Sequence, residues 1–233
     1  MKVAIIQSNY IPWKGYFDII HDVDLFIFYD EVQFTKNDWR NRNKVKSNQG
    51  VSWITVPVGK SISRYLTEVE IKEKKWQNKH YKIFKQNYIK SNFYKKYIEF
   101  LEHIYLEQQW NNLSELNQYV IKLISKDFLG IKTKFKNSFE YQVTHMEKQE
   151  KIMGLLQKAK ASTYVSGPAA RSYIAENAFQ QAGIELIWKD YSNYPEYPQF
   201  FPPFKHGVTI LDLLFHTGPD APYYIWGWRE ENR

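Results

Sequence analysis

The chain reads as an α/β fold, a Rossmann-like and mainly parallel sheet with flanking helices and a Lys-rich helical insertion in its middle. Two strand–helix–strand units predict it, one near each end of the sequence, and a hydrophobic content of 43% supplies the core that such a sheet needs. The 233 residues are expected to form a single α/β domain, 1–233, with the insertion at about 76–127.

The first unit opens with "KVAIIQ", a short β-branched run suited to a buried strand. "YFDIIHDVD" carries apolar residues at Tyr16, Phe17, Ile20 and Val23, near helical spacing. "LFIFYD" is a second buried strand, ending in Asp30. Ligands of parallel sheets bind beyond the carboxyl ends of the strands, so Gln7–Trp13 and Asp30–Thr35 are expected to flank one crevice. "DEVQFTKNDWRNRNKVKSNQG" reads as a polar loop, and "VSWITVPVG" as a third strand that stops at Pro57 and Gly59. Residues 76–127 read as mostly helical, with Ser114 as a helix-start signal and Gly130 as the stop.

"IKTKFKNSFEY" reads as a strand and turn, and "EKQEKIMGLLQKAKA" as an amphipathic helix. The second unit follows: "STYVSG" as a strand, "PAARSYIAENAFQQAG" as one helix from Pro168 to Gly183, and "IELIWKDY" as a strand. "GVTILDLLFHTG" reads as a last helix, with Ile210, Leu213 and Leu214 on one face and Asp212 opposite.

The chain has no cysteine, which excludes disulfides, a thiolate nucleophile and cysteine-ligated metal. Polar residues follow the first apolar run too soon for a signal peptide, and no apolar run is long enough to span a membrane. A cytoplasmic protein without membrane insertion is expected. Six histidines, at 21, 80, 103, 145, 206 and 216, include no HxH or HxxxH pair, so no metal is expected. Net charge is +7, and residues 71–100 hold nine lysines against Glu73 and Glu99. A solvated helical face and attraction to an anionic partner both fit that run.

Candidate chemistry concentrates in four places. "QSNYIPWKGYFDII" offers Gln7, Tyr10, Trp13 and Tyr16. The loop from Asp30 offers Gln33, Trp39, Asn41, Arg42 and Asn43, a mixture of amides, guanidinium and indole that suits a polyhydroxylated or phosphorylated ligand. Its alternative is a solvated loop whose charges pair with one another. "SGPAARSY" sets Ser166 before an expected helix N-terminus, with Arg171 one turn in, which fits either an anion site or an ordinary helix start. His216 ends the last helix as a cap or a base, and Asp30, at a strand end, is the best carboxylate for a general base. Neither GxGxxG nor GxxxxGK[ST] is present.

In this order, "QSNYIPWKGYFDII", "DEVQFTKNDWRNRNKVK", "WITVPV", "SGPAARSY" and "GVTILDLLFHTGPDA" resemble the WbqC-like protein family over nearly the whole chain. Gln7, Tyr10, Pro12, Trp13, Gly15, Tyr16, Phe17, Asp30, Gln33, Trp39, Asn41, Arg42 and Asn43 carry the likeness. Many members read His-Gln-Pro where this chain reads Ile6-Gln7-Ser8, so a histidine there is not at its disposal. The resemblance implies cytoplasmic work in O-antigen and other surface-polysaccharide biosynthesis, on a nucleotide-linked aminosugar. Acyl or aminoacyl transfer to the sugar amine is the expected reaction, with Asp30 or His216 as base. No tightly bound cofactor is expected. The donor is a coenzyme A thioester, an acyl adenylate or aminoacyl-tRNA, and nucleic acid enters only as that tRNA. The alternatives are a non-catalytic sugar-nucleotide-binding or scaffold protein and, more remotely, an RNA-binding protein.

Overall fold

The computed structural model describes residues 1–61, 63–143 and 148–231; His145 lies outside them. In chain order the elements are β1 (Lys2–Ile6), α1 (Lys14–His21), β2 (Leu25–Phe28), β3 (Arg42–Ser47), β4 (Gly50–Thr55), α2 (Lys75–Tyr88), α3 (Tyr94–Glu102), α4 (Leu113–Leu123), β5 (Lys134–Asn137), α5 (Lys148–Lys158), β6 (Thr163–Ser166), α6 (Glu176–Gln181), β7 (Glu185–Trp188) and α7 (Ile210–Thr217).

Five strands form one sheet in the order β5-β2-β1-β6-β7, and every neighbouring pair is parallel. Counted along the sheet's own strands this is 3-2-1-4-5, the order of the doubly wound Rossmann-like frame. The period-two alternation of strand side chains splits the core in two. Val3, Ile5, Leu25 and Ile27 pack with Ile152, Leu155 and Phe179 of α5 and α6. Ala4, Phe26 and Phe28 face the other way, into a larger cluster with Phe17 and Ile20 of α1, Phe84 of α2, Leu116 of α4 and Phe215 of α7. The helical stretch α2–α4 therefore shares its core with one face of the sheet. Each fully buried Phe contributes roughly 1.5–3 kcal/mol, so this layer carries much of the stability.

Three expectations are corrected. The polar stretch after Asp30 is not all loop: Arg42–Ser47 is β3, and the strand expected at "VSWITVPVG" is β4, its antiparallel partner in a separate two-stranded ribbon. Asn43 and Val45 face inward, while Arg42 and Lys44 stand outward opposite Thr55 and Trp53. The segment from Pro168 to Gly183 is not one helix. Pro168–Ser172 is a short 3-10 turn, Ala175 is extended and donates its N–H to the Gln149 side chain of α5, and α6 starts only at Glu176. The helix N-terminus expected behind Ser166 is thus a single tight turn. Finally, α7 is buried on every side, Asp212 included. The segment after β7 lies over it, with the Tyr197 hydroxyl and the Gln199 amide both donating to Asp212 and Tyr88 of α2 donating to its second oxygen.

Among the described residues no helix is long and apolar enough to cross a membrane.

Candidate functional site

The loop that leaves β1 is held from three sides. Tyr10 N–H donates to Trp39 O, Ile210 N–H donates to Pro12 O, and the Asn43 amide donates to the carbonyls of Tyr10 (3.0 Å) and Ile11 (2.6 Å). Between these anchors Ile11 adopts φ 40°, a left-handed conformation that a β-branched residue rarely takes. Such a residue costs on the order of 1–3 kcal/mol and persists only where its surroundings over-determine it. Trp13 follows at the start of α1. Its indole folds back over Gly15, where an added Cβ would lie 2.3 Å from the ring. The indole then stands edge-on to Tyr191 (5.3 Å) and Tyr194 (6.0 Å), in the segment after β7.

Beside this loop lies a crevice of about 320 Å³. It sits at the carboxyl ends of β1 and β6, neighbours in the sheet whose chains depart toward opposite edges. That is the switch point at which doubly wound sheets bind ligands. Gln7, Asn9, Trp13 and Tyr16 line it from the β1 side, Ser166, Gly167 and Tyr173 from the β6 side, and Tyr29, Tyr164 and Tyr191 complete the wall. Among the described residues no carboxylate, imidazole, lysine or arginine lines it. Its polar groups are amides and hydroxyls.

Burial holds these phenols protonated. It pushes Tyr16 well above its ordinary range, with the charge of Asp30 adding to the effect, and raises Tyr29 to about 12. Tyr164, Tyr173 and Tyr191 are raised for the same reason. They are therefore hydrogen-bond donors, not bases, and the Tyr16 hydroxyl already donates to Gln7 O at 2.9 Å. The guanidinium of Arg40 opposes the upward shift of Tyr16 and Tyr173, so its positive field reaches both phenols. Arg40 also pairs with Asp38 at 3.0 Å.

A second cavity, also about 320 Å³, adjoins the first. It is lined by Asn9, Pro12, Trp13, Trp39, Asn43 and Gly207. Asn9 and Trp13 belong to both. Lys14, next to Trp13, is buried and donates to Pro195 O at 3.2 Å, and burial lowers its ammonium to about 8.

The expected site residues thus divide. Gln7, Trp13, Tyr16 and Ser166 meet in the crevice; Trp13, Trp39 and Asn43 meet in the second cavity, with Arg42 on the outer face of the ribbon. Others are built into the frame. Tyr10 is 1% exposed, its hydroxyl shared between His80 Nδ1 (2.8 Å) and the Tyr105 hydroxyl (2.6 Å), so it faces the helical layer and not a ligand. The Asn41 amide donates to Val56 O. Gln33 sits on a separate surface depression with Arg64 and Tyr65. Arg171 is exposed with its guanidinium 5.2 Å from the Trp188 ring.

Both expected bases are pinned. Asp30 is 2% exposed and accepts from Ser8 N–H, the Ser114 hydroxyl and the Gln118 amide, which tie the β1 loop, the end of β2 and α4 together. His216 accepts from Phe200 N–H at Nε2, so its proton is on Nδ1, toward Asp212 O at 2.7 Å. Neither reaches the crevice. The crevice tyrosines 29, 164, 173 and 191 are not among the candidate residues that the sequence offers. Position gives the only signal for them: Tyr29 follows β2, Tyr164 lies in β6, and Tyr191 follows β7.

Behind Trp13 the frame holds a buried ionic cluster. Asp18 pairs with Lys189 (2.9 Å) and accepts from Arg229 and Tyr194, and Lys189 also pairs with Asp22; against the opposing effect of burial, the His21 hydrogen bond, Lys189 and Arg229 hold the Asp22 carboxyl down at about 2. Among the described residues no group of three or more His, Cys, Asp and Glu side chains is placed to hold a metal ion.

The model of the WbqC-like protein family matches residues 7–224. The chain is also 45% identical, over 226 residues, to Uncharacterized protein Rv1507c of Mycobacterium tuberculosis, an alignment that covers 96% of this chain and 97% of that protein. No solved structure matches at a significant level.

Proposed function

The chain belongs to the WbqC-like protein family, and from that premise we propose that it is a cytoplasmic enzyme of cell-surface polysaccharide (O-antigen) biosynthesis that transfers an acyl or aminoacyl group to the amine of a nucleotide-linked aminosugar. The observation that carries the reading is the neutral crevice at the β1/β6 switch point, walled by Trp13 and lined by amides and protonated phenols. Such a lining matches sugar hydroxyls with hydrogen bonds and the apolar face of a sugar ring with an indole. Gln7, Asn9 and Ser166 hold the sugar.

In the reaction the amine nitrogen bonds to the acyl carbon, and the bond from that carbon to the donor's sulfur or oxygen breaks. The proton lost by the amine passes to the departing atom. Phenols that keep their protons serve the developing oxyanion as donors. No lining side chain is assigned as base, because Asp30 and His216 are committed to internal hydrogen bonds. The donor is a coenzyme A thioester, an acyl adenylate or an aminoacyl-tRNA, the last being the one role for nucleic acid.

A thermal-shift screen of nucleoside-diphosphate aminosugars tests the binding step. A ligand at a hundredfold its dissociation constant stabilises by roughly 2.7 kcal/mol. Mass detection of N-acylated sugar, with each donor class in turn, tests the transfer. The pinning of both expected bases favours a second reading, a non-catalytic sugar-nucleotide-binding protein of the same pathway. Binding without product from any donor would decide for it.

A further inference from the structure

The ribbon β3–β4 carries an exposed aromatic and cationic platform outside the crevice. Trp39 and Trp53 are 38% and 42% exposed, with ring centroids 5.1 Å apart. The Arg42 guanidinium lies 4.0 Å from the Trp53 ring centroid, and Lys44 Nζ lies 5.0 Å from Trp53 and 5.6 Å from Trp39. The register explains the grouping, since Lys44 stands directly opposite Trp53 and Arg42 is two residues away on the same face. The neighbouring acid, Asp38, is already engaged by Arg40, the Thr35 hydroxyl and Trp39 N–H. Arg42 Nε is buried and has no hydrogen-bond partner among the described residues.

Two neighbouring indoles left in water, with two cations on them, are chemistry for stacking a base beside a phosphate. A neutral sugar would use the rings and leave the cations idle; a nucleotide uses both. The platform is also continuous with the second cavity through Trp39, and that cavity meets the crevice at Asn9 and Trp13.

We propose that Trp39, Trp53, Arg42 and Lys44 form a second nucleotide site, distinct from the crevice, which takes the phosphorylated adenosine of an activated acyl donor. Its identification as the donor site rests on the function proposed above; the binding of a phosphorylated adenosine does not. Coenzyme A and the CCA end of a transfer RNA share this chemistry. The second cavity gives the acyl chain a way from the platform to the crevice, past the shared wall.

The test is calorimetric titration of the full chain with adenosine monophosphate, coenzyme A and the trinucleotide CCA, each with and without a saturating nucleoside-diphosphate aminosugar. Expected is binding of at least one adenosine ligand that persists when the sugar nucleotide is present, weakens tenfold or more in Trp53→Ala and in Arg42→Gln, and weakens again as salt rises. The tighter of coenzyme A and CCA names the source. Trp53 is exposed, so Trp53→Ala keeps the fold, and its affinity for the sugar nucleotide is expected to be unchanged. The proposal is overturned if no adenosine ligand binds, if those that bind compete with the sugar nucleotide, or if Trp53→Ala binds them as well as the wild type. It is equally overturned if Trp53→Ala weakens the sugar nucleotide itself. If no sugar nucleotide binds while an adenosine ligand binds through Trp53, the site stands and the function proposed for the crevice falls.

Discussion

Asn43 holds Ile11 in a left-handed backbone conformation, one amide group donating to the carbonyls of Tyr10 and Ile11, which flank the Ile11 Cα. A side chain on the hairpin thereby fixes the loop that forms one wall of both cavities. Asn43→Asp keeps size and acceptor and loses both donated bonds. We expect Asn43→Asp and Asn43→Ala each to lower stability by about 2–4 kcal/mol in urea unfolding. At temperatures where the variants remain folded, the thermal shift given by a sugar nucleotide should vanish. A variant as stable as the wild type would show that the loop holds itself.

Gly15 and Trp13 form a second dependent pair. In the wild type, Gly15→Ala drives a methyl group into the Trp13 indole, 2.3 Å away, and should destabilise by about 1–3 kcal/mol. In a Trp13→Ala background the obstacle is gone. There the same change should stabilise by about 0.5–1 kcal/mol, because alanine is the better residue inside a helix. Equal effects in both backgrounds, measured as a double-mutant cycle, would refute the contact.

His80 makes stability fall in acid. It is 2% exposed among Tyr10, Trp76 and Tyr105, and burial lowers its imidazolium to about 3 from an ordinary 6.5. Between those values the unfolded chain binds a proton that the folded chain does not. Stability therefore rises with pH across this window and is lost as pH falls from 6.5 toward 3. Wild type should lose about 2–4 kcal/mol more than His80→Gln between pH 7 and pH 3.5. Parallel stability curves would mean that the ring is protonated in the fold.

Asp30→Asn separates a structural carboxylate from a catalytic one. The carboxylate accepts from three donors, and an amide would set an N–H against some of them. We expect a stability loss of about 2–4 kcal/mol. If turnover is found, its rate per folded molecule should stay within about tenfold of wild type, whereas loss of a general base costs about 10²–10⁴-fold. A flattened pH–rate profile in this variant would restore Asp30 as the base.

The sheet was legible because its signals are local. "KVAIIQ", "LFIFYD", "STYVSG" and "IELIWKDY" each announce a buried strand, and the helices between them announce parallel pairing. β3 hid because its buried positions include Asn43 and Lys46, polar residues that hydropathy assigns to a loop. The crevice was half legible. Gln7, Trp13, Tyr16 and Ser166 follow from the rule that ligands sit at strand ends, but Tyr173 and Tyr191 arrive from segments with no period of their own. Asp30 and His216 misled for a different reason. A carboxylate at a strand end and a histidine at a helix end look free until their partners are placed, and Ser114 and Gln118 lie more than eighty residues from Asp30. Sequence spacing does not reveal a hydrogen bond across that distance.

Trp13 borders both chambers. A shared wall cannot be moved for one tenant alone. Any replacement that widens the crevice changes the cavity beyond it, so the preferences of the two chambers are inherited as a pair. A lineage or an engineer seeking a new substrate in one must re-cut the other in the same step.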